Sequence, residues 1–494
     1  MDTLQSFIRS GVSYPRVPHP SVLIVGGGFS GTALAVQLLR LPHAQPLRIA
    51  LVERAKLARG VAYGSGTTSY LLNVPAGRMS ASSAEPLEFL SFARRTLPNA
   101  TAEDFLPREL YGEYLESTLL SAAQAAPPHV RLERVRGEVV GIERVPRSAL
   151  FRAHLANGFE LRAASVVLAT GNPAPGVLPG GEGLPGTRYV ADPWQAPVMF
   201  RAGETVLAAG TGLTMADIVL AGQEAAQGRA TVHAISRHGL LPAPQADLQL
   251  SEVACDGDVL LREASVSLRR LVRAVRGLAE DLELRGGDWR AAVASVRAVA
   301  PLLWQRLNTH ERRRFLRHVH SYWAVHRHRL PHSAWSALNE LRRGGHLHIH
   351  AGRVISIQTA GKRLCVIWRA RGAHGTTATL VDRVVNCTGP QYDPRRTRER
   401  LLRSLLAQGM AVPDALGLGL ETDESGALID SGGRSVDNLY YLGPMLRPRH
   451  WETTAVQELR RHAEQLAARI ARPYGAGWLR RPAEGTSPAR ELTG

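Results

Sequence analysis

Residues 21–31 decide the fold of this chain, and they read Ser-Val-Leu-Ile-Val-Gly-Gly-Gly-Phe-Ser-Gly. Residues 21–25 predict a short buried strand, and the apolar spacing over residues 32–40 predicts a helix. Residues 47–53, Leu-Arg-Ile-Ala-Leu-Val-Glu, predict a second strand. Together they form a β-α-β unit, in which the strands are parallel and the crossover is right-handed.

The turn between the first strand and the helix contains Gly26, Gly28 and Gly31 in the spacing G-x-G-x-x-G. The first glycine permits a tight turn, the second lets a diphosphate approach the backbone, and the third lets the helix pack closely on the strand. Ser30 lies in the first turn of this helix, whose free N–H groups face the phosphates. The pattern therefore predicts a dinucleotide-binding site.

Glu53 ends the second strand, 22 residues after Gly31. A carboxylate at this place accepts both ribose hydroxyls of an adenine dinucleotide. Arg54 follows directly and is a further candidate contact for the nucleotide.

A second unit of this kind begins with a strand over residues 204–209. Gly210 and Gly212 follow, but Met215 stands where the third glycine would be, so this helix must sit slightly further from its strand. The next strand ends at Arg237 instead of at an acid. An arginine there binds a ribose 2′-phosphate, which a carboxylate would repel, and this favours NADPH over NADH. The alternative is a surface arginine in an arginine-rich chain.

Two motifs of small residues close other long strands and let the chain pass close to a cofactor. The first contains Thr170 and Gly171, and the second runs from Asn386 to Gly389.

Composition excludes several classes of function. The three cysteines are far apart in sequence, which argues against a disulfide framework, a zinc pair and a flavin disulfide reductase. No apolar stretch is long enough to span a membrane, and the polar first 20 residues do not resemble a secretory signal, so we expect a cytoplasmic protein. The net charge of +17 comes almost wholly from arginine spread along the chain, which does not favour nucleic acid as a partner.

Six of the 18 histidines fall between His310 and His332. His318 and His320, like His326 and His328, are two residues apart and would point to different faces of a helix, so we expect no metal site. A polar domain interface is the simplest interpretation. The alternative is that Arg327 and Arg329 bind a substrate carboxylate or phosphates of NADPH.

The chain resembles flavoproteins with two dinucleotide-binding domains, and most of all a bacterial group described as FAD-NAD(P)-binding proteins, related to class B flavoprotein monooxygenases and N-hydroxylating monooxygenases. The segments that carry the resemblance are GGGFSG, GVAYG (60–64), LLNVPAGRMSA (71–81), YGEYL (111–115), ATGNP, YVADPW (189–194), FLRHVHSYWAVHRHRLP (315–331) and WETTAVQELR (451–460).

The resemblance implies an α/β fold of two Rossmann-like domains, one inserted in the other, with a helical insertion. The expected division is an N-terminal extension (1–20), a first part of the FAD-binding domain (21–200), an NAD(P)H-binding domain (201–380) containing the helical insertion (256–345), a second part of the FAD-binding domain (381–472) and a disordered tail (473–494).

The resemblance also implies site residues. Residues 73–79 would pass near the isoalloxazine ring, with Asn73 and Arg78 as candidate catalytic residues and Met79 as a cofactor contact. Arg78 would hold NADPH or stabilise an anionic peroxyflavin, although a solvated loop arginine is the alternative. Gly443 would meet the ribityl chain. A last amphipathic helix is predicted from about residue 453 to residue 470, and backbone N–H groups at its start, at Thr453 and Thr454, would meet the flavin N1–O2 edge.

The implied function is an FAD-dependent, NADPH-using monooxygenase that acts through a C4a-(hydro)peroxyflavin on a small molecule, with molecular oxygen as co-substrate. Leu184, Gly186, Val190 and Trp194 keep the spacing of the class B fingerprint, but valine replaces its histidine. This favours N-hydroxylation of an amine or amino acid over Baeyer–Villiger oxidation.

Two alternative functions stay open. One is an NAD(P)H-dependent flavin oxidoreductase or dehydrogenase without oxygen insertion, and the other is a non-catalytic FAD-binding redox sensor. The oligomeric state is left open.

Overall fold

A computed structural model describes residues 21–64, 70–246 and 257–471. The expected N-terminal extension and the tail from residue 473 lie outside these described residues.

Strands and helices alternate in the parts of the chain that form the sheets. In chain order the strands are β1 (Ser21–Val25), β2 (Leu47–Glu53), β3 (Val130–Arg136), β4 (Val139–Arg144), β5 (Phe151–Leu155), β6 (Glu160–Ala163), β7 (Ser165–Leu168), β8 (Tyr189–Val190), β9 (Thr205–Ala209), β10 (Thr231–Ser236), β11 (Leu347–Ala360), β12 (Arg363–Ala370), β13 (Thr377–Val381), β14 (Arg383–Asn386), β15 (Ala427–Ile429) and β16 (Ser435–Tyr441). The α-helices are α1 (Phe29–Arg40), α2 (Gly60–Tyr63), α3 (Glu88–Ala93), α4 (Arg108–Ala125), α5 (Leu213–Ala225), α6 (Gly257–Val266), α7 (Leu268–Leu284), α8 (Trp289–Arg306), α9 (Thr309–Arg314), α10 (His320–Arg327), α11 (His332–Arg343), α12 (Arg400–Ala407) and α13 (Val456–Ala471).

The first sheet has the order β15-β16-β7-β1-β2-β3, parallel except for β15. Its central strands β1, β2 and β7 are largely apolar and buried, as parallel strands covered on both sides must be, whereas the edge strand β3 is polar and partly exposed. Helices α1, α4 and α13 cover one face, and the small antiparallel sheet β4-β5-β6 with α12 covers the other. Because β15, β16 and α13 come after the second sheet in the chain, the second domain is inserted in the first.

The second sheet has the order β13-β12-β11-β10-β9-β14-β8 and repeats the plan of the first around β9. The pairing of its strands differs from the expected boundaries between the two nucleotide-binding domains, at residues 200/201 and 380/381. The short strand β8 already belongs to this sheet, and β14 pairs in parallel with β9 and β8. The sequence suggests one strand over residues 380–386, but Asp382 interrupts it and exchanges hydrogen bonds with the Thr205 backbone. Residues 383–386 therefore complete the second domain instead of resuming the first.

The predicted helical insertion is present as α6 to α11, with a π-helical segment at Phe315–Val319 between α9 and α10. It packs on the C-terminal part of the first domain, where Trp304 stacks on Trp451 and donates a hydrogen bond to the Pro448 carbonyl. Arg297 forms an ion pair with Glu458 of α13. The insertion thus joins the two nucleotide domains.

The predicted fold class, two Rossmann-like domains with one inserted in the other and a helical insertion, is confirmed. Across residues 21–64, 70–246 and 257–471, no helix is both long and apolar enough to cross a membrane.

Candidate functional site

The first glycine turn is built so that only glycine fits at two of its positions. Gly26 has a φ of +107°, and a Cβ there would overlap the Ala169 carbonyl oxygen at the end of β7. A Cβ on Gly31 would overlap the carbonyl oxygen of Gly26, so helix α1 begins directly against the turn. Gly60 approaches from the GVAYG segment, since its Cβ would lie 3.0 Å from the Gly28 Cα. The result is a narrow cradle of backbone N–H groups at a helix N-terminus, which suits a diphosphate.

Glu53 lies at the mouth of this cradle. Its carboxylate accepts hydrogen bonds from the Gly27 N–H at 2.7 Å and from the Ala55 N–H at 3.0 Å. The carboxylate is therefore fixed beside the turn, where the sequence predicts a ribose. Arg54 points elsewhere: its half-exposed side chain lies 3.7 Å from Glu399.

The second glycine turn repeats the first in detail. Gly210 has a φ of +117°, and a Cβ there would overlap the Cys387 carbonyl oxygen, just as Gly26 meets Ala169. Gly212 is the N-cap residue of helix α5. Each of the two small-residue motifs therefore lies beside a glycine turn: Thr170 and Gly171 beside the first, and the motif ending at Gly389 beside the second.

Arg237 is exposed at the end of β10 and has basic neighbours that the sequence did not reveal. The adjacent His238 accepts a hydrogen bond from Arg371 at 2.8 Å. Burial, followed by the charges of Arg371, Arg237 and Arg353, lowers the pKa of His238. Three arginines therefore surround His238 beside the second glycine turn: one follows β10, one lies within β11 and one follows β12.

The two nucleotide domains meet at an ion pair between Arg108 and Asp217, whose side chains are 14% and 15% exposed. Arg108, at the start of α4, donates to Asp217 of α5 at 2.7 Å and to the Leu71 carbonyl at 3.0 Å. Its guanidinium group lies over the ring of Trp194, 5.3 Å from the ring centroid. Burial raises the pKa of Asp217 to about 6, although Arg108 opposes this shift. The tryptophan of the fingerprint-like segment is therefore part of the domain interface.

The loop of residues 73–79 reaches the helical insertion. The Asn73 carbonyl accepts from Gln245 Nε2 at 3.2 Å, and Gln245 Oε1 accepts from Arg329 Nε at 2.9 Å. Arg78 is exposed, so its guanidinium group is open to a ligand. Met79 differs from expectation because its side chain is 2% exposed and packs in the core of the first domain. Only its backbone remains for a cofactor contact.

The start of the last helix also differs from expectation. Helix α13 begins at Val456, and the N–H groups of Thr453 and Thr454 bond to the carbonyls of His450 and Glu452. The N–H groups of residues 456–458 come before the first backbone bond of the helix, from Leu459 to Ala455, and have no backbone acceptor among the described residues. The Thr453 hydroxyl is buried without a partner. Gly443, with a φ of +150°, leads into the segment before this helix.

Glu452 connects this segment to α10. Its carboxylate accepts hydrogen bonds from Arg327 Nε at 2.9 Å and from Trp323 Nε1 at 3.2 Å, and its side chain is 4% exposed.

Two histidines near this pair have lowered pKa values. Burial, followed by the charge of Arg327, lowers the pKa of His328 to about 3. Burial and the nearby Arg447 lower the pKa of His320 to about 4. Both imidazoles are therefore neutral at physiological pH.

Residues 23–173 match the family model described as FAD-NAD(P)-binding. The matched segment is less than a third of the chain. It contains the first glycine turn, Glu53 and Gly171. The sequence of the chain matches no curated protein.

Among solved structures, the chain is similar to the ornithine N-hydroxylase of Kutzneria sp. 744, solved with reduced FAD, NADP+ and L-ornithine (17% identity, TM-score 0.58, 92% of this chain and 100% of that chain). It is also similar to the FAD-bound cadaverine monooxygenase of Erwinia amylovora (13% identity, TM-score 0.56, 96% and 99%). A third similar structure is the bacillithiol disulfide reductase of Staphylococcus aureus (10% identity, TM-score 0.54, 92% and 99%). Because the sequence identities are 17% or lower, these similarities show only that the chain has the same fold as these proteins.

Several predicted site residues are brought together and others are not. Arg329 and Asn73 meet through Gln245, although they lie in different domains, whereas Arg327 pairs with Glu452. Arg54 pairs with Glu399 and Met79 is in the core. The sequence missed Arg108, Asp217, Gln245, Arg371 and Glu452, because each acts through a partner that is distant in the chain.

Proposed function

We propose that the chain is an FAD-dependent, NADPH-using monooxygenase that hydroxylates the nitrogen of a small molecule. The strongest support comes from the two glycine turns, which have the same backbone geometry but different charged side chains beside them. One is closed by the carboxylate of Glu53 and the other by the guanidinium groups of Arg237, Arg353 and Arg371. A carboxylate suits free ribose hydroxyls and arginines suit a 2′-phosphate, so two different dinucleotides are implied.

The first domain fits FAD. The cradle at Gly26 to Gly31 leaves no room for a Cβ at its two closest approaches, and Glu53 is fixed beside it. The free N–H groups at the start of α13 would place the positive end of a helix dipole toward negative charge on reduced flavin. Bound flavin supplies hydride acceptance from NADPH and the activation of oxygen.

The other residues arrange access to this chemistry. Arg108, Asp217 and Trp194 fix the NADPH domain against the FAD domain, which hydride transfer requires. The insertion packs against the segment before α13 and against α13 itself, where it would help to exclude water. Arg78 would hold a negative charge at the exposed end of the 73–79 loop.

N-hydroxylation is preferred to the other reactions of this fold for two reasons. Val190 replaces the histidine of the class B fingerprint, and the similar structures include an ornithine N-hydroxylase and a cadaverine monooxygenase. Disulfide reduction is disfavoured, because a flavin disulfide reductase uses a closely spaced pair of cysteines and the three in this chain lie at positions 255, 365 and 387.

A cofactor titration tests the proposal. We expect purified protein to hold about one FAD per chain and NADPH to reduce it in the absence of air. After air is admitted, a substrate amine should lower the hydrogen peroxide released per NADPH oxidised. One peroxide per NADPH with every amine of a broad panel would leave a flavin oxidoreductase, and flavin that neither NADPH nor NADH reduces would favour a redox sensor.

The choice of nicotinamide cofactor gives a second prediction. Arg237→Ala and Arg371→Ala should each raise the KM for NADPH about tenfold, since each loses a charge-assisted contact to the 2′-phosphate, and should leave the KM for NADH within about twofold. Steady-state oxidation of both cofactors measures this. Arg306→Gln, an exposed change in the insertion, is the control. Equal losses with both cofactors would remove the 2′-phosphate role.

A further inference from the structure

Two arginines at the end of α10 have buried donors that no protein group satisfies. Arg327 uses Nε for Glu452, but its Nη2 is buried without a hydrogen-bond partner. Arg329 uses Nε for Gln245, and its Nη1 is likewise buried and unpartnered. Leaving a buried charged donor unsatisfied is unfavourable, so these two N–H groups indicate an acceptor that comes from outside the protein.

The surroundings of these donors are cationic. Burial, followed by the charges of Arg290 and Arg327 and with a contribution from Arg78, lowers the pKa of Arg329 to about 10. The nearby carboxylates are already engaged. Asp288 accepts from Arg290 Nη1 with both oxygens, at 2.9 and 3.1 Å, and Glu452 accepts from Arg327 and Trp323. Among the described residues, arginines therefore outnumber acids in this cluster.

The cluster also adjoins the proposed flavin site. Arg329 reaches the carbonyl of Asn73 through one side chain, that of Gln245. Arg327 is paired with Glu452, which precedes the unpartnered hydroxyl of Thr453. A molecule held by the two arginines would lie between the 73–79 loop and the start of α13.

We propose that Arg327 and Arg329 bind an anionic oxygen group of the substrate, so that the substrate class is a small amine that also carries a carboxylate or a similar anion. This inference rests on the proposed function and adds the substrate class to it. A forked guanidinium pair binds a carboxylate well and repels an ammonium group. The chain should therefore reject a simple diamine, in contrast to the cadaverine monooxygenase with the same fold.

Matched five-carbon probes test this on the FAD-loaded protein. Calorimetric titrations with glutarate, which has two carboxylates, and with cadaverine, which has two ammonium groups, are made in saturating NADP+. We expect the Kd for glutarate to be at least about tenfold lower than that for cadaverine. Arg329→Gln should weaken glutarate binding about tenfold, and Arg306→Gln should leave it unchanged.

Three results would overturn the inference: cadaverine binding as tightly as glutarate, no measurable glutarate binding, or glutarate binding only when NADP+ is omitted. The last result would assign the arginines to the phosphates of NADPH. If Arg329→Gln does not yield folded protein, Arg329→Lys keeps the charge and loses the fork, and the wild-type comparison of the two probes still decides. Flavin content and reduction by NADPH are measured on the same preparation, so that failure of the proposed function is recognised separately.

Discussion

A Gly26→Ala variant is expected to lose FAD. Gly26 has a φ of +107°, which alanine adopts only with strain, and the new Cβ would overlap the Ala169 carbonyl oxygen. That carbonyl cannot move away easily, because Ala169 directly follows β7 and its N–H donates to the Val25 carbonyl at 2.8 Å. The turn must therefore open, and it can no longer present its N–H groups to a diphosphate.

We expect the flavin content of purified Gly26→Ala protein to fall to about a tenth of the wild-type value or less. The absorbance ratio of flavin to protein measures it, and added FAD should not restore it. Gly186→Ala is the matched control, since its backbone is not left-handed and a Cβ there would meet no atom within 4 Å. Full flavin content in Gly26→Ala would show that this turn does not bind the cofactor.

The features found from sequence are those whose chemistry leaves a local pattern. A glycine at a close approach, a strand before it and an acid at the end of the next strand all lie within 33 residues, 21–53, so Gly26, Gly31 and Glu53 could be recognised together. The insertion could be recognised because its helices are long and have few turn residues between them.

Features that depend on distant pairing were missed or misplaced. Residues 380–386 look like one strand, and only the pairing of β14 with β9 shows that they divide at Asp382 between two places in the second sheet. The start of α13 was placed three residues early, because the turn at residues 450–455 precedes the helix and apolar periodicity does not mark a cap. Arg371 and Gln245 have no distinctive sequence context, since their roles come from what lies beside them.

The largest effect on stability is expected at Glu452. Its carboxylate is 4% exposed and is shared by Arg327 and Trp323, so Glu452→Ala would leave a buried guanidinium group and an indole N–H without acceptors. Breaking a buried pair by removing one partner costs about 3–5 kcal/mol, more than the pair itself contributes, because the remaining charge stays desolvated. We expect a clear fall in the urea midpoint of unfolding of the FAD-loaded protein.

Two further variants test whether the loss of stability in Glu452→Ala comes from the burial of its ion pair or from the loss of an ion pair as such. Glu458→Ala removes the other ion pair between the insertion and this region, whose side chains are more exposed, at 15% for Glu458 and 23% for Arg297, so we expect a loss nearer 1 kcal/mol. The double variant Arg327→Met/Glu452→Leu removes both buried charges and should recover much of the stability lost in Glu452→Ala. If Glu452→Ala and Glu458→Ala are equally stable, then water or another group reaches Arg327. In that case water would also reach the unpartnered N–H donors of Arg327 and Arg329. Those donors would then no longer be a reason to expect a bound anion beside them.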